Sequence, residues 1–417
     1  MIQAGFGRGT IRFPAEIFPL EGFCGVHDDP HVRLMVLRCE ESAFALLEAE
    51  LVIIPNSAID RWRNMISGAF EIDRDHVVMQ MTHAITTPHE PGPMGPPDKR
   101  PEPTEEDLRK RNIYHTVTDA AVTDAIRQAK ETMSSAALGW GAGPCDVNVS
   151  CDVETPFGWW LGTNPDGYSN HTMTVLRVNS REGGMKGLLV SFGMKPAAID
   201  NAGQKEGKRL ISSEIAGVFC EKMEAVYGVP VIYSVSAGGN QIPRQTALGH
   251  GVSEDGKPFD TDEGPEAGFR YAEVQGAEMC EAAKSIVDSI TCEAEAVDSA
   301  WEDCAIRWQR RRGGPRKLSK SVAHEPQGET EVTANLFRLG DTTFVMVRPE
   351  LTAEVERYLL NKSPAKRTIL MTLTNGEMKC LAHQEAFAQN TYESQGGLMP
   401  GAAEALMDTI IKTMEGM

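Results

Sequence analysis

The chain predicts an α/β fold in which mixed β-sheets are flanked by helices. Three observations carry that expectation: apolar runs of strand length alternate with helical patterns, the helical patterns carry readable ends, and 417 residues at 41% hydrophobic content can bury a large core. Strand-like runs fall at 32–37, 44–54, 77–81, 174–178, 187–192, 229–235, 343–347 and 368–373. Ser57, with Asp60 three residues on, reads as a helix cap. Prolines at 88, 91, 93, 96, 97, 101 and 103 deny regular structure to 88–103, leaving a rigid loop close after His83 that reads either as a surface excursion or as a rim over a site. Thr104, ahead of Glu105, Glu106 and Asp107, then reads as an N-cap with an acidic first turn. Ile211, Ile215, Val218, Phe219, Met223 and Val226 form a helical stripe that Gly228 ends, so this helix packs on a sheet. No internal repeat divides the chain, and 1–417 reads as one large domain.

Charge and cysteine usage bound the function. A formal net charge of -18 argues against nucleic acid and against an anionic membrane face. No apolar run is long enough to span a bilayer, and the first residues lack the charged and apolar regions of an export signal. Nine cysteines without a C-x-x-C pair read as reduced thiols. Together these predict a cytoplasmic protein with a small-molecule substrate and no nucleic-acid or membrane partner, homo-oligomerisation being left open. The basic cluster Arg310, Arg311 and Arg312, with Arg307, Arg316, Lys317 and Lys320 around it, reads as a solvated loop or partner contact.

The most informative run is Met81-Thr82-His83-Ala84-Ile85-Thr86-Thr87-Pro88-His89, which puts a histidine at the end of the strand-like stretch 77–81. It resembles the T-H-T-H-S signature of the neutral/alkaline, non-lysosomal ceramidase family. Further colinear matches are Phe18-Pro19-Leu20-Glu21-Gly22-Phe23 followed by His27-Asp28-Asp29, the stretch from Gly158-Trp159-Trp160 to Asp166-Gly167, Ser236-Ala237-Gly238-Gly239-Asn240-Gln241 with Pro243, and Pro349-Glu350. The resemblance implies the fold of that family's N-terminal catalytic domain, without its C-terminal β-domain.

It also implies a zinc site of two His, one Glu and one Tyr, and here this chain departs from the pattern. His83 matches the first ligand and Glu350 the carboxylate. The second histidine position is Lys195, the tyrosine position is Cys380, and the nucleophilic serine position is Ile242. Tyr392 matches a second active-site tyrosine. A lysine ammonium could stand in for the lost cation and pair with Glu350, because a buried carboxylate without a counter-charge is costly. Lysine can also act as a base when burial lowers its pKa. The expected catalytic set is therefore His83, Lys195, Glu350 and Tyr392, with His89, Asn240, Gln241 and Cys380 contacting substrate and no metal assigned. Zinc on His83, Glu350 and Cys380 stays open but is not favoured.

Three readings follow. The first is a cytosolic hydrolase, lyase or isomerase on a small polar substrate such as a carbohydrate or amino-acid derivative, using His83 and Lys195 as acid and base. The second is a zinc amidohydrolase with the altered ligand set. The third is a non-catalytic binding protein. Ceramide itself is not expected as substrate.

Overall fold

The computed structural model describes residues 2–40, 42–93, 100–293, 298–312, 314–376 and 378–417. Two mixed sheets stack face to face. The larger runs, in spatial order, Val231–Val235, Met185–Phe192, Thr172–Ser180, Ser134–Pro144, Gln3–Thr10, His31–Arg38, Ala43–Ala49 and Val77–Met81. The smaller runs Ser299–Arg311, Pro326–Leu339, Thr342–Val347 and Arg367–Met371. Their inner faces share one core: Phe6, Phe44, Leu46 and Ile232 from one sheet meet Phe337, Phe344 and Met346 from the other, with Phe44 and Phe337 ring centroids 5.1 Å apart. Alternation along each strand turns every second residue to this core.

Helices cover both outer faces. Asn56–Phe70 and Glu105–Thr132 lie over one half of the larger sheet, and Glu214–Tyr227 with Pro265–Ser289 over the other. Ala353–Lys362 and Ala402–Gly416 cover the smaller sheet. The α/β expectation thus resolves into four layers, helix, sheet, sheet, helix. Close packing has a sequence cause on the first strand. A methyl group on Gly5, Gly7 or Gly9 would sit about 2 Å from the backbone oxygens of Ala129, Ala125 and Ala121, so alternate glycines let the long helix rest on the strand's main chain.

Several local expectations hold and several need correction. Thr104 caps its helix through a reciprocal box with Asp107, and Gly228 ends the helix Glu214–Tyr227 at φ 69°. Ile211 belongs to a short strand rather than to that helix. Ser57 is no cap: the helix starts at Asn56 behind Pro55, and the Ser57 hydroxyl donates to Glu90 at 3.4 Å. The run 44–54 is a strand only to Ala49, because the next residue, Glu50, turns its carboxylate to accept from the His31 N–H at 2.7 Å and from Arg33. In the proline-rich loop, His89 is fixed by its N–H donating to Glu21 at 2.8 Å, while residues 94–99 lie outside the described residues.

What positions the site is parallel pairing. Within the two stacked sheets three strand pairs run parallel, Ala43–Ala49 with Val77–Met81, Met185–Phe192 with Val231–Val235, and Thr342–Val347 with Arg367–Met371. His83, Lys195 and Glu350 each follow the C-terminal end of one of these strands within three residues. Backbone contacts tie the ends together: Thr372 N–H donates to Val235 at 3.1 Å and Lys195 N–H to Gln241 at 2.9 Å.

Candidate functional site

His83 sits in left-handed backbone, φ 63°, held there by its N–H donating to Leu51 at 3.1 Å and by Thr82 N–H donating to Ala49 at 3.0 Å. A non-glycine residue in this region costs about 1–3 kcal/mol, a strain that surrounding structure must impose. The result aims the imidazole at Glu350, with Nδ1 3.4 Å from Oε1. Glu350 is buried, with only 9% of its side chain exposed, while His83 is 30% exposed. Burial pushes the Glu350 carboxyl up, but Lys195, His83 and Arg316 together outweigh that and hold it down at about 2. The carboxylate is ionised and can orient a histidine.

The pair opens into a cavity of about 220 Å³ that is also lined by His89, Arg316, Leu373, Lys379 and Cys380. His89 is anchored by Glu21, Nδ1 to Oε1 3.1 Å. A second cavity of about 250 Å³ is lined by Lys195, Asp200, Ile242, His250, Tyr392 and Glu393 among others. The four expected catalytic residues therefore divide two and two, and do not share the single cavity that the sequence suggested. Between the cavities the Arg316 guanidinium stacks over the Tyr392 ring at 3.9 Å, and Trp160 meets the same ring edge-on at 5.5 Å.

Lys195 is half-buried. Burial alone would lower its pKa, but Glu350, Cys151, Glu393 and Asp200 raise it well above the ordinary value. These neighbours favour the charged ammonium, against the expectation of a lysine whose burial lowers its pKa. Neither does it form a direct ion pair with Glu350: among the described residues no carboxylate oxygen lies within 4.0 Å of its ammonium, and the two act on one another at longer range.

Asn240 and Gln241 are corrected too. Both are fully buried, with their amides already engaged. Asn240 donates to Asp152 at 3.0 Å and to Glu354 at 3.1 Å and accepts from Ala353 N–H; Gln241 donates to Ala237 and accepts from Asn148 and from Asn170 N–H. They brace the loops beneath the cavities instead of forming a wall. The small-residue turn has a similar role, since a methyl group on Gly239 would come within 2.6 Å of the Cys380 sulfur and 2.7 Å of the Leu351 carbonyl oxygen. The nucleophile position, Ile242, is a wall of the second cavity.

Among the described residues Cys380, at the position that the resemblance gives to a zinc ligand, does not bring its sulfur together with His83 and Glu350 at metal-ligand spacing.

Two features escaped the sequence. Arg316 lines the first cavity, although its neighbours in sequence gave it the look of a solvated cluster. Cys151, Asp152 and Glu393 gather their ligand atoms within 4.8 Å of one another, all buried. Sequence offers no signal for that meeting, which joins positions 242 residues apart.

No family model matches the chain, and no curated protein matches it. Solved structures do. A ceramidase structure described as complexed with C2 superposes with a TM-score of 0.70 at 14% identity, covering 100% of this chain and 76% of that one. The neutral ceramidase from Pseudomonas aeruginosa gives 0.69 at 15% identity, covering 100% and 75%. Likeness at this identity speaks for the backbone alone, and the chain has a neutral-ceramidase-like α/β fold.

Proposed function

We propose that the chain is an enzyme, a hydrolase by fold type, acting on a small polar substrate that carries a carboxylate. The observation that carries this reading is a pair of cations without partners, Arg316 in the cavity of an oriented histidine and Lys195 in the cavity next to it. Among the described residues neither the Arg316 guanidinium nor the Lys195 ammonium has a hydrogen bond or ion pair, yet each lines a cavity. Guanidinium presents a planar fork of donors that matches a carboxylate, and the Tyr392 ring holds that plane in place. In a chain of net charge -18, two such cations, one in each of two cavities that meet at the Arg316–Tyr392 stack, favour an anionic ligand that spans both.

In this reading the substrate carboxylate sits on Arg316. His83, oriented by Glu350, takes a proton from the attacking water. Lys195 stays protonated and stabilises the negative charge that develops at the reacting centre. The Tyr392 hydroxyl, which makes no hydrogen bond among the described residues, returns a proton to the leaving group. Hydrolysis of an amide or glycosidic-type bond uses all four groups. Nine free cysteines support a reducing compartment such as the cytoplasm, and among the described residues no helix is long and apolar enough to cross a membrane.

A turnover screen tests the proposal, comparing acylated amino acids and uronic-acid derivatives with neutral amino sugars. Turnover confined to the carboxylate-bearing compounds is expected, with His83→Ala inactive. Turnover on neutral sugars alone, or full activity in His83→Ala, would overturn it.

A further inference from the structure

We infer that Cys151, Asp152 and Glu393 form a binding site for a divalent cation of the zinc class, separate from the His83–Glu350 pair. The hairpin strand Asn148–Thr155 changes register with its partner Gly158–Asn164 between Ser150 and Asp152. In a regular strand, adjacent side chains point to opposite faces; the bulge lets Cys151 and Asp152 both turn inward. They are 2% and 8% exposed, and Glu393, from the short turn Glu393–Gln395, closes on them at 4%.

The spacing suits a metal. Cys151 Sγ lies 3.6 Å from Glu393 Oε1. Tetrahedral zinc with a Zn–S bond of about 2.3 Å and a Zn–O bond of about 2.1 Å separates S from O by about 3.6 Å. One thiolate and two carboxylates form a mixed S,O set that suits a borderline metal better than calcium or magnesium.

A second observation points to a missing partner. Glu393 Oε2 is buried and has no hydrogen-bond partner, and among the described residues neither Asp152 nor Glu393 has a cation within 4.0 Å. Buried carboxylate oxygens left in this way are uncommon, and each calls for an explanation. Burial pushes the Cys151 thiol and the Asp152 carboxyl well up, so an ion would displace their protons on binding; the three ligands then carry −3 against +2 on the ion, with the Lys195 ammonium near Cys151 and Glu393. Cys151 and Glu393 line the second cavity, which gives an ion its entry and leaves a fourth position for water.

Cobalt(II) titration of the full chain, stripped by chelator, tests this. The expected result is one ion per chain with the absorption of cobalt–thiolate charge transfer, lost in Cys151→Ser, weakened at least tenfold in Glu393→Gln, and kept in His83→Ala and Cys380→Ser. Melting curves check that each variant is folded, and Glu393→Gln serves if Cys151→Ser is not. Absence of the thiolate band in the unmodified protein would overturn the site; the two carboxyls would then share a proton. A band that survives Cys151→Ser and disappears in Cys380→Ser or His83→Ala would place the ion at the His83 position and overturn it equally.

Discussion

Two clusters of buried charge lie in this molecule, and they are built on opposite plans. Around Arg33, on the strand His31–Arg38 of the larger sheet, opposite charges are paired with one another. Arg33 pairs with Glu50 and, at 2.7 Å, with Glu224; Glu224 pairs with Arg8 at 2.7 Å, and Glu50 with His31 at 3.2 Å. Around Lys195 the cations and carboxylates feel one another but leave contacts open: Lys195 and Arg316 have no ion pair among the described residues, and Glu393 keeps an oxygen without a partner. The Arg33 cluster serves the fold, because its buried cation is paired directly with carboxylates, although Glu48, 3.6 Å from Arg33, keeps both oxygens without a hydrogen bond. An open one is waiting for atoms that the chain does not supply, which is the mark of a site.

Substitutions should separate the two. Lys195→Met, which keeps the apolar stem and deletes the charge, is expected to lower turnover by about 10²- to 10⁴-fold while shifting the melting temperature little. Equal loss of stability and activity would make Lys195 structural and dissolve the contrast. Arg33→Met should do the reverse, costing about 3–5 kcal/mol in denaturant unfolding by stranding Glu50 and Glu224. A fully stable Arg33→Met would show that the closed cluster does not support the fold.

Acid sharpens the same comparison. Burial raises the Glu50 carboxyl, but Arg33 and His31 more than reverse this and hold it far below its ordinary value of 4.5. A carboxyl depressed in the fold adds stability above its unfolded pKa and loses it as pH falls through the folded one. Unfolding free energy should therefore decline below about pH 4.5, and Arg33→Met should flatten that decline. Smallest of these effects, Arg316→Lys keeps the charge and loses the fork, so KM for a carboxylate substrate should rise by about tenfold, kcat changing less. An unchanged KM would remove Arg316 from substrate binding.

The two plans were unequally legible in the sequence. Strand ends carrying His83, Lys195 and Glu350 could be read because each is a local pattern of apolar run and turn, and a resemblance across most of the chain fixed their order. Arg316 could not: what distinguishes it from Arg310 or Arg312 is a tyrosine 76 residues further on, beneath its guanidinium. The same holds for Glu393, which meets Cys151 only after the hairpin bulge has turned two adjacent side chains one way. Asn240 and Gln241 misled in the other direction, since polar residues in a glycine-rich turn look like ligand contacts and here close the loops on one another.

The left-handed backbone at His83 has a consequence for how its surroundings can be altered. Because main-chain hydrogen bonds to the neighbouring strand end set its direction, the imidazole does not depend on a metal or on any other ligand to point where it does. The groups around it can therefore change one at a time while His83 keeps its direction. A scaffold that orients one residue by its backbone can change its chemistry in small steps.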